Sequence, residues 1–255
     1  MIRRPPRSTL SSSSAASDVY KRQHSKNTHM QQFLSSINFC LSNIGYLFIL
    51  CLPVMTIEVA LASLLASVDF QAGSDAAALE AIGNISGRFF VLVLASLIFS
   101  VALSGGCMAA FYSLTHDGSM TPYQALLQGL KKFFPLLWAN ILHSFAYGLG
   151  FLMLVLPGFY LYGRLGLFPL FIMFEGKGAM DSLGESWNLT EEAATKLFAL
   201  TAIFMGIQFI FGFIGGILES NGSLWFLLAT VIIKYITLMP LFYLFFSLYE
   251  SVKQN

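Results

Sequence analysis

The sequence predicts an all-α, polytopic helical membrane protein with about six transmembrane helices and two short cytoplasmic interfacial helices. Of its 255 residues, 56% are hydrophobic and only 11% are charged, a balance that a soluble domain of this size does not carry. The apolar residues also form uncharged runs of roughly 20 residues or more, the length that crosses the ~30 Å hydrocarbon core of a bilayer. These runs define the predicted spans.

The first 23 residues differ in kind from the rest of the chain. They are Ser-rich and basic, contain Pro5-Pro6, and lack the apolar segment of a secretory signal peptide. They resemble the translation of a sequencing adapter, so we expect residues 1–23 to be an artefact without structure; a genuine disordered basic arm is the alternative. Residues 24–255 are then expected to form a single integral membrane domain.

The charge balance excludes one class of partner. Without residues 1–23 the chain carries 9 basic and 12 acidic residues, so it offers no basic patch to nucleic acid. The expected partner is the lipid bilayer, and other membrane proteins or a second copy of the chain are left open.

Six spans are predicted from the uncharged runs. The third and fourth come from one run of 42 residues, long enough for two crossings, in which Arg164 is the only charge. Pro157-Gly158 is predicted to form the turn between them, because Pro cannot continue a helix and Gly accepts a reversed backbone. Gly148 to Gly150 is the alternative turn. The predicted spans are 41–67, 89–114, 133–156, 159–174, 197–218 and 224–248.

The distribution of Lys and Arg predicts that both termini lie in the cytoplasm. An even number of spans puts both ends on one side, and the positive-inside bias places most basic loop residues on the cytoplasmic side. In this orientation only Arg88 lies outside. The residues placed inside are Lys26, Lys131, Lys132, Lys177, Lys196 and Lys253.

The loop after the second span is predicted to form a short helix on the inner membrane surface. Asp117-Gly118 ends the span, and Thr121-Pro122 is typical of a helix start with Pro in the first turn. The helix then runs from Tyr123 to Leu130 and ends at Lys131-Lys132.

The loop after the fourth span has a similar order. Glu175-Gly176 ends the span, and residues 179–187 form an amphipathic stretch. Asn188 and Glu191 are predicted to cap the start of the fifth span. The shared order suggests a parallel repeat, in which spans two and three match spans four and five; chance similarity of short loops is the alternative. The face of the stretch predicted to be apolar consists of Met180, Leu183 and Trp187.

Small side chains within the apolar runs are interpreted as packing positions. Gly105-Gly106 and Ala109-Ala110 have the spacing that lets another helix approach closely, although incidental small residues would give the same pattern. Cys40, Cys51 and Cys107 form no CxxC pair and have no nearby His, so we expect them to be buried, small hydrophobic residues.

Four titratable side chains within the spans suggest a buried polar set: Glu58, His143, Arg164 and Lys234. Counted from the predicted span ends, Glu58, His143 and Lys234 lie ~15 Å deep and Arg164 ~9 to 10 Å from the outer surface. A charge at the midplane costs at least ~2.5 to 3.5 kcal/mol, so it normally pairs inside the bundle. We therefore predict that Glu58 pairs with Lys234 or Arg164.

This polar set fits two functions. In one, it is a proton or ion relay of a small transporter or channel-like protein, with His143 as the titrating member. In the other, it is an ion pair that fixes helix register in a structural, regulatory or envelope-maintenance protein. HExxH, GxSxG and Walker patterns are absent from the sequence. We therefore expect no catalytic activity, no bound metal and no cofactor.

A distinctive order of residues begins at about Leu103 and extends to the end of the chain. Its members are Gly105-Gly106, Leu156, Pro157, Gly158, Arg164, Pro169, Glu175-Gly176-Lys177-Gly178, Ser182, Ser186, Leu189 and Thr190. In this order the chain resembles the YciC-like family of bacterial inner-membrane proteins, which is similar to the membrane domain of some glycerophosphodiester phosphodiesterases. The first span, with Asn43 and Leu52-Pro53-Val54-Met55-Thr56-Ile57, is similar to the start of the YesL-like proteins.

The resemblance implies a six-span protein of the inner (plasma) membrane with no established activity. The phosphodiesterase domain is a separate soluble barrel, and its activity is not carried over.

Overall fold

The structure, a computed structural model, describes residues 31–66, 75–116, 118–218 and 224–253. These ranges are helical apart from short connections and contain no strand. Residues 1–23, expected to be an artefact, lie outside them. The helices are α1 (31–42), α2 (Ile44–Ala66), α3 (Asp75–His116), α4 (Pro122–Lys131), α5 (Phe133–Met153), α6 (Val155–Leu165), α7 (Phe168–Phe174), α8 (Ala179–Leu189), α9 (Ala194–Leu218) and α10 (Leu224–Lys253).

Six stretches of the described residues are long and apolar enough to cross a membrane. The predicted spans fall on the same stretches and differ by up to five residues at the ends, most of all at the end of the sixth, which reaches Lys253 rather than residue 248. The fourth stretch is not one helix, because α6 and α7 together supply it. The six stretches are Ile44–Leu65, Ser86–His116, Phe133–Met153, Val155–Phe174, Ala194–Ile214 and Leu227–Lys253.

The turn between the third and fourth stretches was predicted at the wrong residues. The chain reverses at Leu154, where the backbone is extended, so Pro157 lies in the first turn of α6. Pro is tolerated there because the first turn of a helix has no internal partner for its N–H. Gly158 serves instead to let the two helices approach, since a Cβ on Gly150 would lie 2.9 Å from the Gly158 Cα. Gly148, the start of the alternative turn, is inside α5.

The chain folds back along α3 to form α4, and small residues permit the contact. Thr121 caps α4 as the sequence predicts, and it exchanges hydrogen bonds with Gln124 in a capping box. A Cβ on Gly106 would lie 3.0 Å from the Ala125 carbonyl oxygen, and one on Gly129 would overlap the Ala102 carbonyl oxygen. The small residues of α3 are therefore a helix contact, and the helix that approaches them is α4.

The second short helix, α8, packs on the bundle through small and hydroxyl side chains, and most of its predicted apolar face stays exposed. Its buried face consists of Ala179, Ser182 and Ser186, whereas Met180 and Trp187 are exposed. The predicted cap at Asn188 is also wrong, because α8 continues to Leu189 and α9 begins at Ala194.

The largest apolar core lies at the end of the bundle that carries α4, α7 and α8. Residues 101–111 of α3 are all buried, whereas most of residues 86–100 are exposed or partly exposed. Phe111 packs there with Phe171 of α7 and with Phe245 and Phe246 of α10. The three cysteines are free and buried, as predicted.

The contact between α3 and α4 can be tested with two Gly→Ala variants. Gly129→Ala is expected to destabilise the protein by about 1–3 kcal/mol or more, because the new methyl group overlaps the backbone of α3. Gly148→Ala makes the same change in α5 with no atom within 4 Å of the new Cβ. It is expected to stabilise by about 0.5–1 kcal/mol, since Gly in a helix interior is unfavourable by that amount. Thermal unfolding in one detergent measures both, and shifts of equal sign would contradict the contact.

Candidate functional site

The structure brings Glu58 of α2 and Lys234 of α10 together. The Lys234 Nζ lies 2.7 Å from the Glu58 Oε1, and the Tyr235 hydroxyl donates a second hydrogen bond to the same oxygen at 2.9 Å. The Lys234 ammonium also lies 5.3 Å from the Tyr235 ring centroid. One carboxylate oxygen therefore binds two neighbouring residues of α10, which aligns α2 with α10.

The depth of this pair follows from the observed span ends. Glu58 lies seven residues before Leu65 and Lys234 lies seven residues after Leu227. At 1.5 Å per residue both are ~10 Å from the ends of their stretches, rather than the ~15 Å expected from the predicted ends. The two charges therefore lie at the same depth. An ion pair between two neighbouring antiparallel helices requires this.

His143 has different partners. It is buried in α5, and its Nε2 lies 3.4 Å from the Tyr162 carbonyl oxygen of α6. Three aromatic rings, those of Tyr147, Tyr162 and Phe168, surround the imidazole with centroid distances of 4.9 to 5.3 Å. The arrangement is an enclosed aromatic site that joins α5 to α6.

Arg164 lies in a third place, at the end of α6, where only 4% of its surface is exposed. One guanidinium nitrogen donates to the Trp187 carbonyl at 2.6 Å and the other to the Tyr160 hydroxyl at 3.2 Å. The guanidinium carbon is 4.1 Å from the Trp187 ring centroid. Because Trp187 is in the last turn of α8, the cation meets the negative end of the α8 dipole. No carboxylate of the described residues lies within 4 Å of it.

The helix of the fourth stretch is interrupted directly after Arg164 and Leu165. Pro169 is the second residue of α7 and has no N–H to donate to the Leu165 carbonyl, so α6 cannot continue into α7. The interruption frees the Arg164 carbonyl and the Leu167 N–H. Both are groups that must find partners in a dry environment.

The hydroxyl groups of α8 supply those partners. The Ser186 hydroxyl donates to the Arg164 carbonyl at 2.8 Å and accepts from the Leu167 N–H at 3.1 Å. The Thr190 hydroxyl lies 3.1 Å from the same carbonyl oxygen. We call these groups, with the side chains of Tyr160 and Trp187, the Arg164 cluster.

The residues of the YciC-like pattern divide between this cluster and other places. Arg164, Pro169, Ser186 and Thr190 meet at the interruption, and Ser182 is buried one turn before Ser186 without a hydrogen-bond partner for its hydroxyl. The remaining members shape the chain elsewhere: Gly176 adopts φ +66° in the turn after α7, Leu189 packs on the core, and Pro157 and Gly158 form the α5–α6 contact.

A charged group that the sequence analysis missed surrounds Glu175. Its Oε1 accepts from the Tyr249 hydroxyl and pairs with Lys253, both at 2.8 Å, while its Oε2 pairs with Lys177 at 3.0 Å. Lys177 also pairs with Glu185 at 2.8 Å. Burial raises the pKa of Glu175, but the hydrogen bonds from Lys253, Lys177 and Tyr249 outweigh it and lower the pKa from 4.5 to about 2. The group ties the α7–α8 turn to the end of α10.

Most of these features lie in the part of the chain that matches a known protein family. Residues 70–241, more than half of the chain, match a family model described as "Domain of unknown function (DUF7847)". The chain belongs to the DUF7847 family. The part that matches the DUF7847 model contains His143, the Arg164 cluster and Lys234, whereas Glu58 precedes it. No curated protein and no solved structure matches the chain.

The bonds that close the interruption can be tested with Ser186→Ala. This variant is expected to destabilise the protein by about 1–3 kcal/mol, because it leaves the Leu167 N–H buried without a partner. Ser35→Ala is the matched control: Ser35 is exposed and bonds only within its own turn, so a change within about 0.5 kcal/mol is expected. Thermal unfolding in detergent compares them, and equal losses would show that α8 does not stabilise the interruption.

The Glu175 group predicts a pH dependence. A folded-state pKa of about 2, below the usual 4.5, means that the carboxylate stabilises the fold above pH 4.5 and loses this effect as the pH falls towards 2. Glu175→Gln is therefore expected to lower the melting temperature near neutral pH, and the difference from wild type should shrink below pH 4.5. Glu185→Gln, which removes one exposed ion pair, should have a smaller effect. A constant difference at every pH would contradict the assignment.

Proposed function

We propose that this DUF7847 protein is a multi-pass inner (plasma) membrane protein with a structural, regulatory or envelope-maintenance role and without catalytic activity. The observation that supports the proposal is the separation of the predicted polar set. Glu58 and Lys234 neutralise each other, His143 is enclosed by aromatic rings, and Arg164 holds α8. A relay would require these residues to share a path, whereas helix pairing requires each to have its own fixed partner.

The contacts of each residue also join different helices. The Glu58–Lys234 pair joins α2 to α10, His143 joins α5 to α6, and Arg164 joins α6 to α8. None of Glu58, Lys234, His143 and Arg164 lines the large apolar groove between α2 and α10, although Tyr235, which donates to Glu58, does. This distribution favours a role in fixing the positions of the helices. The YciC-like resemblance implies a protein of the same kind, and it stays a prediction.

The proposed orientation has both termini in the cytoplasm. Lys177 and Lys253 bind the same carboxylate, so the α7–α8 turn and the end of α10 lie at one end of the bundle. His116 at the end of α3 lies 3.6 Å from Glu250 and belongs to that end as well. The positive-inside bias makes this end the cytoplasmic one, with α4 and α8 on its side.

Stability and ion flux together test the proposal. Glu58→Gln is expected to cost about 1–3 kcal/mol, because a charge-assisted hydrogen bond is lost, and the exchange Glu58→Lys with Lys234→Glu should recover part of the loss. Thermal unfolding in detergent measures both effects.

The same variants are then reconstituted in liposomes with a pH-sensitive dye inside, and a pH gradient is imposed. Wild type and Glu58→Gln are expected to show the proton leak of protein-free liposomes. A wild-type flux that Glu58→Gln abolishes would contradict the proposal and support the transporter alternative.

A further inference from the structure

An apolar groove of about 340 Å³ lies between α1, α2, α9 and α10. Its floor is formed by the buried side chains of Leu47, Cys51 and Met239, and its rim by exposed residues that include Ile44 and Ile236. Among the residues that the structure describes, no charged side chain lines it. Because the walls from α2, α9 and α10 belong to stretches that can cross a membrane, we expect the groove to open to the side, towards hydrocarbon.

A polar recess lies beside the groove on the same helices. It is lined by Gln32 and Ser36 of α1, Lys196 in the first turn of α9, and Tyr243 and Ser247 of α10. The side-chain oxygen of Gln32 is covered and has no hydrogen-bond partner. Lys196 forms no ion pair within 4 Å with a carboxylate of the described residues. The recess therefore holds a cation with no carboxylate partner and an amide oxygen with no hydrogen-bond donor among the described residues.

The recess and the groove follow one another along three helices. Gln32 and Ser36 directly precede Phe33 and Ile37, which line the groove. On α9, Lys196 lies two turns before the groove residue Phe204, and on α10 Tyr243 lies one turn after Pro240. An occupant of both must therefore have an apolar part and, at one end, an anionic and hydrogen-bonding part.

We propose that the groove and the recess bind one anionic phospholipid, with an acyl chain in the groove and the phosphate at Lys196. The bilayer surrounds the groove with acyl chains, and the unpaired Lys196 supplies the complementary charge. A lipid phosphate can accept from the Lys196 ammonium, and a headgroup hydroxyl, such as those of glycerol, can donate to the unpartnered Gln32 Oε1. The lipid comes from the cytoplasmic leaflet, an assignment that rests on the proposed orientation.

The experiment uses the full chain, purified in detergent and depleted of lipid. It is incubated with equal amounts of phosphatidylglycerol and phosphatidylcholine, and native mass spectrometry counts the lipids that remain bound. The wild-type protein is expected to retain more phosphatidylglycerol than phosphatidylcholine. Lys196→Gln should reduce that preference about fivefold, since one lysine near a membrane surface contributes on the order of 1 kcal/mol. Lys131→Gln, an exposed lysine of α4, should leave it unchanged.

A second pair of variants tests the groove. Ile207→Trp fills it and is expected to reduce the retention of both lipids, whereas Ile210→Trp, at an exposed position of α9 outside the groove, should not. If Lys196→Gln and Lys131→Gln changed lipid retention equally, or if the two Trp variants did, the bound lipid would be a general annular layer around the protein. Either result would overturn the proposal. Proton flux in the liposome assay would overturn the proposed function and leave the lipid site standing, so the two failures are distinguishable.

Discussion

Free backbone groups at the interruption between α6 and α7 need hydrogen-bond partners. This need determines how α8 packs against α6 and α7. Pro169 stops α6 from continuing, and the Arg164 carbonyl and Leu167 N–H lose their helical partners. In a hydrocarbon environment such groups are tolerated only where protein partners replace the missing bonds. Ser186 and Thr190 provide those bonds, so α8 must pack against the interruption with its hydroxyl face inward.

Arg164 completes the same arrangement with its side chain. Its guanidinium binds the last turn of α8 through a carbonyl and the face of Trp187, which compensates a buried charge without a carboxylate. The backbone and side chain of one residue thus both hold α8. This explains how a charged residue can lie buried at the end of α6, and it links this polar position to helix packing.

The two short helices play comparable parts in the fold. Each runs back along the helix before it, α4 along α3 and α8 along α7, and together they thicken one end of the bundle. The close approach relies on glycine in the first case and on hydroxyl groups in the second. The Glu175 group then fastens the end of α10 to the turn before α8, which closes this end. On the side of α1, α2, α9 and α10 the packing stays open and leaves the apolar groove.

Composition and the length of the uncharged runs determined the helical class and the positions of the apolar stretches, because the thickness of a bilayer sets the length of any span. The start of α4 was also readable, since Thr121 and Pro122 act locally. The partner of Glu58, the inward face of α8 and the turn at Leu154 were decided only by the tertiary structure. These features depend on contacts between residues far apart in the sequence, and a local sequence pattern does not specify such contacts.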